Sequence, residues 1–120
     1  MIIGTGIDLV ELSRIQQLAE RQPRFINRIL TEAERKQYER LSAARKTEFL
    51  AGRFAAKEAF VKAAGTGISG TFSWHDLEVR KEAAGRPYLV ARNYEQKIHL
   101  SISHSKTQAV AQVIIESLES

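Results

Sequence analysis

The sequence predicts an α+β fold: one N-terminal strand, about four helices, and an antiparallel sheet drawn from the C-terminal half. Three observations predict it. Ala43 to Ala64 is a long run of helix-favouring residues closed by Gly65. Residues 98–105 alternate apolar and polar side chains with the period of a strand. Residues 77–80 and 88–90 flank Gly85-Arg86-Pro87, the pattern of a hairpin.

Taken in order, residues 1–8 are rich in Ile and broken by Gly4 and Gly6, and read as the first strand. Gly6, two residues before Asp8, points to a close approach of this backbone to a neighbour. Asp8 falls where the strand is expected to hand over to a helix of residues 11–20, with Leu12, Ile15 and Leu18 inward. There it is either a helix cap or a carboxylate aimed at a ligand. Pro23 opens a short helix carrying Phe25, Ile26, Ile29 and Leu30. Thr31-Glu32-Ala33-Glu34 is a capping box, which starts a third helix running to about residue 41. Arg14, Arg21, Arg24 and Arg28 decorate this region, as a solvated face or as a docking surface for an acidic partner. Residues 65–70 are a Gly-rich turn without the Gly-Lys-Ser/Thr of a nucleotide-binding loop. Trp74 is expected to cover one edge of the core, and residues 93–97 to form a helical turn. Residues 109–115 read as a last strand, antiparallel to residues 98–105.

The long helix is unusual. Gly52, Ala56, Ala59 and Ala63 form a stripe of small side chains, which admits another backbone closely. Phe49, Leu50, Phe54, Phe60 and Val61 fill a second arc, so the helix belongs in the interior. Yet Arg53, Lys57, Glu58 and Lys62 interrupt it, and buried charges need partners. Glu58 and Lys62, four apart, are either an ordinary helical ion pair or a metal-binding carboxylate beside a phosphate-binding cation. His104, at a strand end with Ser105 and Lys106, is either a core-edge residue or a phosphate donor.

The 120 residues suit a single domain, residues 1–120. Hydrophobic residues at 43% and charged residues at 27% are an ordinary globular mix. Without cysteine there is no disulfide scaffold, cysteine-based zinc site or thiol nucleophile, which fits a reducing, cytoplasmic setting. The N-terminus lacks a signal-peptide pattern and no stretch is long enough for a membrane span, so no membrane is expected. A net charge of +4 favours an anionic partner. Nucleic acid is not expected, because the sheet stretches offer no aromatics among basic residues. A Ser–His–Asp hydrolase is also set aside, since no Gly-x-Ser-x-Gly elbow is present.

Gly6-Ile7-Asp8, then residues 52–62 with Phe54, Lys57-Glu58-Ala59 and Lys62, then Ser101-Ile102-Ser103-His104-Ser105, together resemble the 4′-phosphopantetheinyl transferases. Their order and spacing are similar to the small bacterial type, holo-acyl-carrier-protein synthase, over essentially the whole chain. One departure is Phe54, where some longer relatives carry Trp. The resemblance implies the fold of that family, transfer of the phosphopantetheine arm of coenzyme A to a serine of apo acyl carrier protein, and adenosine 3′,5′-bisphosphate as by-product. It implies Mg²⁺, a role in fatty acid biosynthesis, and a homotrimer with active sites between subunits. Carried onto this sequence, Asp8 and Glu58 are the metal ligands, with Glu58 and Lys62 catalytic. Arg45, Arg53, Lys62, His104 and Ser105 are the coenzyme A residues. The general base is either Glu58 or a metal-bound water, and Lys57 has a supporting electrostatic or structural part. The Arg14, Arg21, Arg24 and Arg28 surface is the carrier-protein dock, with Arg14 nearest the metal.

Overall fold

The computed structural model describes residues 1–66 and 70–118. The elements run β1 (Ile2–Glu11), α1 (Leu12–Arg21), α2 (Arg24–Ile29), α3 (Glu32–Glu39), α4 (Ala43–Ala64), a 3-10 turn (Trp74–Asp76), β2 (Leu77–Lys81), β3 (Pro87–Ala91), β4 (Lys97–His104) and β5 (Gln108–Glu116). β5 lies between β1 and β4 in an antiparallel three-stranded sheet, and β2 and β3 form a separate hairpin. The expected α+β architecture is therefore present, and α4 has the expected bounds with Gly65 as its left-handed cap. The Thr31 capping box forms in full.

Two expectations change. β1 continues three residues beyond Asp8, to Glu11, because its whole length pairs with β5; Asp8 sits opposite Ala111 and is not a helix cap. Residues 93–97 form no helix: Asn93 takes a left-handed conformation in a turn that leads into β4. The Gly-rich turn expected at 65–70 falls partly outside the described residues.

The small-residue stripe of α4 explains how the core closes. A Cβ on Gly4 would collide with the carbonyl oxygen of Ala63, and one on Gly6 with that of Ala59. β1 and α4 thus touch backbone to backbone, which only glycine on the strand and small residues on the helix permit. The same stripe reaches β4 at its other end, where Gly52 faces Ile102. Behind α4, Phe60, Phe72 and Tyr94 pack edge to face, while Phe54 stacks on Trp74 at 5.4 Å between ring centroids.

Strand alternation then decides what faces α4. Gly4, Gly6, Asp8 and Val10 of β1, Ala109, Ala111, Val113 and Ile115 of β5, and Leu100, Ile102 and His104 of β4 lie on the helix side. Asp8 and His104, at opposite edges of this sheet, share that side. Ile7 and Leu9 point the other way and are each 60% exposed.

Candidate active site

Near the C-terminal end of α4, Asp8 is brought from the distant first strand to Lys62 and Glu58, which lie four residues apart on the helix. Lys62 Nζ donates to Asp8 Oδ1 at 2.9 Å and to the Ile7 carbonyl at 3.1 Å. It makes no ion pair with Glu58 among the described residues, so the ordinary helical pair does not form. Glu58 instead lies within the electrostatic reach of Asp8. Partial burial raises the Glu58 carboxyl above its usual range, and the charge of Asp8 raises it further. Lys62 and Arg14 pull in the opposite direction. Two carboxylates of like sign are thus held within each other's field, with a lysine and an arginine around them. Arg14 is the third residue of α1, and its charge reaches Glu58 even though β1 is longer than expected.

Towards the N-terminal end of α4 is a cleft of about 300 Å³ lined by Arg45, Glu48, Phe49, Arg53 and His104, with Lys81, Gly85 and Pro87 of the β2–β3 hairpin closing its far wall. Arg53 is only 7% exposed, and its Nε and Nη2 have no hydrogen-bond partner among the described residues. Its guanidinium lies 3.9 Å from the centroid of the Phe49 ring, one turn earlier. Burial pulls its pKa below the ordinary arginine value, with Glu34 opposing that. A desolvated guanidinium with unused donors is a strong anion receptor. His104 Nδ1 is 3.4 Å from Glu48. Ser105 lies just beyond β4, and its Oγ accepts from the Thr107 and Gln108 backbone N–H groups in the turn to β5. The structure thus brings Arg45, Arg53 and His104 together and leaves Ser105 outside the cleft lining.

A larger cavity, about 720 Å³, lies elsewhere, beside Thr31, Lys36, His75 and Arg92. Its charged groups are already engaged: Arg92 with Asp76, Arg80 with Glu78, Lys36 with Glu32. The smaller cleft is bordered instead by Arg45 and Arg53, neither of which has an ion-pair partner among the described residues.

Sequence reasoning missed three participants. Glu48 had no visible partner until β4 placed His104 against it. The Phe49–Arg53 stack was signalled by its spacing of four. Glu34 looked like a capping residue only, yet it also accepts from Lys57 at 2.7 Å inside the core.

A family model described as the 4′-phosphopantetheinyl transferase superfamily matches residues 4–115. The chain belongs to that superfamily. Within it, the transferase is 59% identical over 120 residues to the holo-[acyl-carrier-protein] synthase of Halalkalibacterium halodurans, with both chains fully covered. It is 54% identical to that of Bacillus subtilis, again with full coverage of both. A crystal structure of a holo-(acyl-carrier-protein) synthase from Bacillus anthracis, in complex with CoA (3′,5′-ADP), superposes with a TM-score of 0.92 at 53% identity and covers 98% of each chain. The transferase is an enzyme of the small bacterial holo-acyl-carrier-protein synthase type. Among its described residues, no helix is long and apolar enough to cross a membrane.

Proposed function

We propose that this chain, as one domain spanning residues 1–120, transfers the 4′-phosphopantetheine arm of coenzyme A to a serine of apo acyl carrier protein, releasing adenosine 3′,5′-bisphosphate in support of cytoplasmic fatty acid biosynthesis. The observation that supports the reading is the Lys62–Asp8 pair, with Glu58 within the electrostatic reach of both. Two carboxylates without a neighbouring histidine or cysteine are the donor chemistry of Mg²⁺, which takes its remaining ligands from water and substrate phosphate. Among the described residues no group of three or more His, Asp or Glu side chains forms a closed metal cage, which suits such a shared site. Asp8 and Glu58 would hold the ion. When bound, it supplies positive charge at the phosphate under attack and at the leaving bisphosphate.

The chain's own groups do the rest. Lys62, half exposed and paired with Asp8, would offer its ammonium to the coenzyme A diphosphate. Arg53 and Arg45 receive the nucleotide phosphate in the cleft, with the Phe49 ring holding the Arg53 guanidinium flat. His104 borders the same cleft, and the Ser105 hydroxyl still has its proton to donate. The carrier serine oxygen attacks the diphosphate phosphorus that bears the pantetheine arm. A new P–O bond forms as the bond to the bisphosphate breaks. The hydroxyl proton passes to Glu58 or to a water beside it.

The outer face of the sheet supports assembly of several copies. Ile7 and Leu9 project there beside half-buried Val110 and Ile114, forming an exposed apolar strip. Further copies of the chain, closing as a homotrimer, would cover it. Asp8 faces Ala111 and His104 faces Ala109 of β5, so the two stand about 12 Å apart, two strand spacings across and two residues along the sheet. Arg14, Arg21, Arg24 and Arg28 are exposed, and none has an ion-pair partner among the described residues; they form the dock for an acidic carrier protein.

The test is to incubate the protein with coenzyme A, Mg²⁺ and apo acyl carrier protein and to weigh the carrier. The expected result is a gain of one phosphopantetheine arm. An unchanged carrier mass across a range of carriers and metal concentrations would overturn the reading.

A further inference from the structure

Lys57 is fully buried, at 0% exposure, one residue before Glu58. Its Nζ donates to Glu34 Oε1 and to the Ile29 carbonyl, each at 2.7 Å, and lies 3.4 Å from the Trp74 carbonyl. Three acceptors saturate the three protons of an ammonium. Glu34 is equally committed: besides Lys57 it accepts from the Thr31 N–H at 2.9 Å and from the Val79 N–H at 2.7 Å. One ion pair therefore ties α4 to the end of α2, the start of α3, the 3-10 turn and β2. A lysine in this state has no donor left for a phosphate.

Its direction on the helix gives it a role. At about 100° per residue, Lys57 points roughly 160° away from Ala59, the residue that rests on Gly6 of β1. The helix is gripped on two nearly opposite faces, by glycine contacts on one and by the Glu34–Lys57 pair on the other. Glu58 lies between, about 100° from each grip. A roll of about 10° moves a carboxylate at the rim of a helix about 10–12 Å across by about 1 Å. Displacements of that size matter to positioned chemistry.

We infer that Lys57 and Glu34 are positioning residues of the transfer reaction, which fix the roll of α4 so that Glu58 meets Asp8, and that Lys57 touches neither substrate. This rests on the proposed reaction, and the wild-type protein serves as the control for it. Single substitutions strand a buried charge and endanger folding, whereas neutralising both partners often preserves stability. The test is therefore the double variant Glu34→Gln with Lys57→Met, assayed for kcat and KM after confirming a cooperative thermal transition. The expected result is a kcat lowered on the order of tenfold to a hundredfold, with KM for coenzyme A within about twofold of wild type. A folded double variant with wild-type kcat, or one with raised KM and retained kcat, overturns the inference. A second measurement needs no variant. Lysine acylation of the native protein, mapped by mass spectrometry, should leave Lys57 unmodified with or without coenzyme A, while coenzyme A protects Lys62. Labelling of Lys57 that coenzyme A suppresses would show substrate contact and overturn the inference. An inactive wild type would instead overturn the proposed reaction, and the two failures are thus separable.

Discussion

Lys57 and Lys62 lie five residues apart on one helix, yet they occupy opposite physical regimes. Lys57 is dry, pressed against a single carboxylate and two backbone carbonyls, and burial lowers its proton affinity while Glu34 raises it. Lys62 has a side chain about half exposed, and its partner Asp8 belongs to the proposed metal pair. The first charge is spent on architecture. The second is held in a contact that substrate and metal can compete for. The difference teaches that a charged residue inside a motif is judged by what its donors already have, not by its place in the motif.

The strongest way to break this comparison is at the carboxylates beside Lys62. Asp8→Ala and Glu58→Ala should each lower transfer on the order of a thousandfold or more, with far-ultraviolet circular dichroism unchanged. Full activity in both would remove the metal assignment. Next come the lysines themselves. Lys57→Met should destabilise the fold by about 3–5 kcal/mol, since it leaves Glu34 buried and unpaired. Lys62→Met should melt near wild type but lose on the order of a hundredfold in kcat/KM. Equal melting temperatures for the two variants would erase the distinction. Arg14→Glu is a smaller perturbation. It should weaken apo carrier binding about tenfold and coenzyme A binding much less, measured by titration of each alone. Equal losses would contradict the docking surface.

The smallest effect is electrostatic. Burial and Asp8 raise the Glu58 pKa in the metal-free folded state. A carboxyl that binds its proton more tightly when folded makes the fold lose stability as pH rises from the ordinary glutamate value through its raised one. Removing the Asp8 charge should lower that pKa. In carboxyl NMR titrations, Asp8→Asn should therefore move the Glu58 midpoint down; an unchanged or higher midpoint would mean the two groups do not interact.

Much of this was legible in the sequence, and particular residues show why. The bounds of α4 were readable because a strong helical run ends at Gly65, and the Thr31 box because capping is a local contact. The Gly52–Ala63 stripe announced a close backbone approach, and its partner proved to be Gly4 and Gly6. The end of β1 was misread because pairing with β5, a hundred positions onward, decides it; local turn signals do not. Asp8 and Glu58 could be named from a resemblance, but their proximity depends on β1 lying along α4. Glu34 was hidden by having two roles, since the capping box accounted for it completely until the interior put Lys57 against its carboxylate. That Arg53 Nε and Nη2 lack hydrogen-bond partners among the described residues could not be read at all, because it is a property of the folded cleft.

The most direct measurement is diffraction from crystals grown with coenzyme A and Mn²⁺ in place of Mg²⁺, using the anomalous signal to locate the ion. The account predicts one peak bound by carboxylate oxygens of both Asp8 and Glu58 and by the coenzyme A diphosphate. A fully occupied ion elsewhere, with these two carboxylates bound to neither metal nor diphosphate, would contradict it.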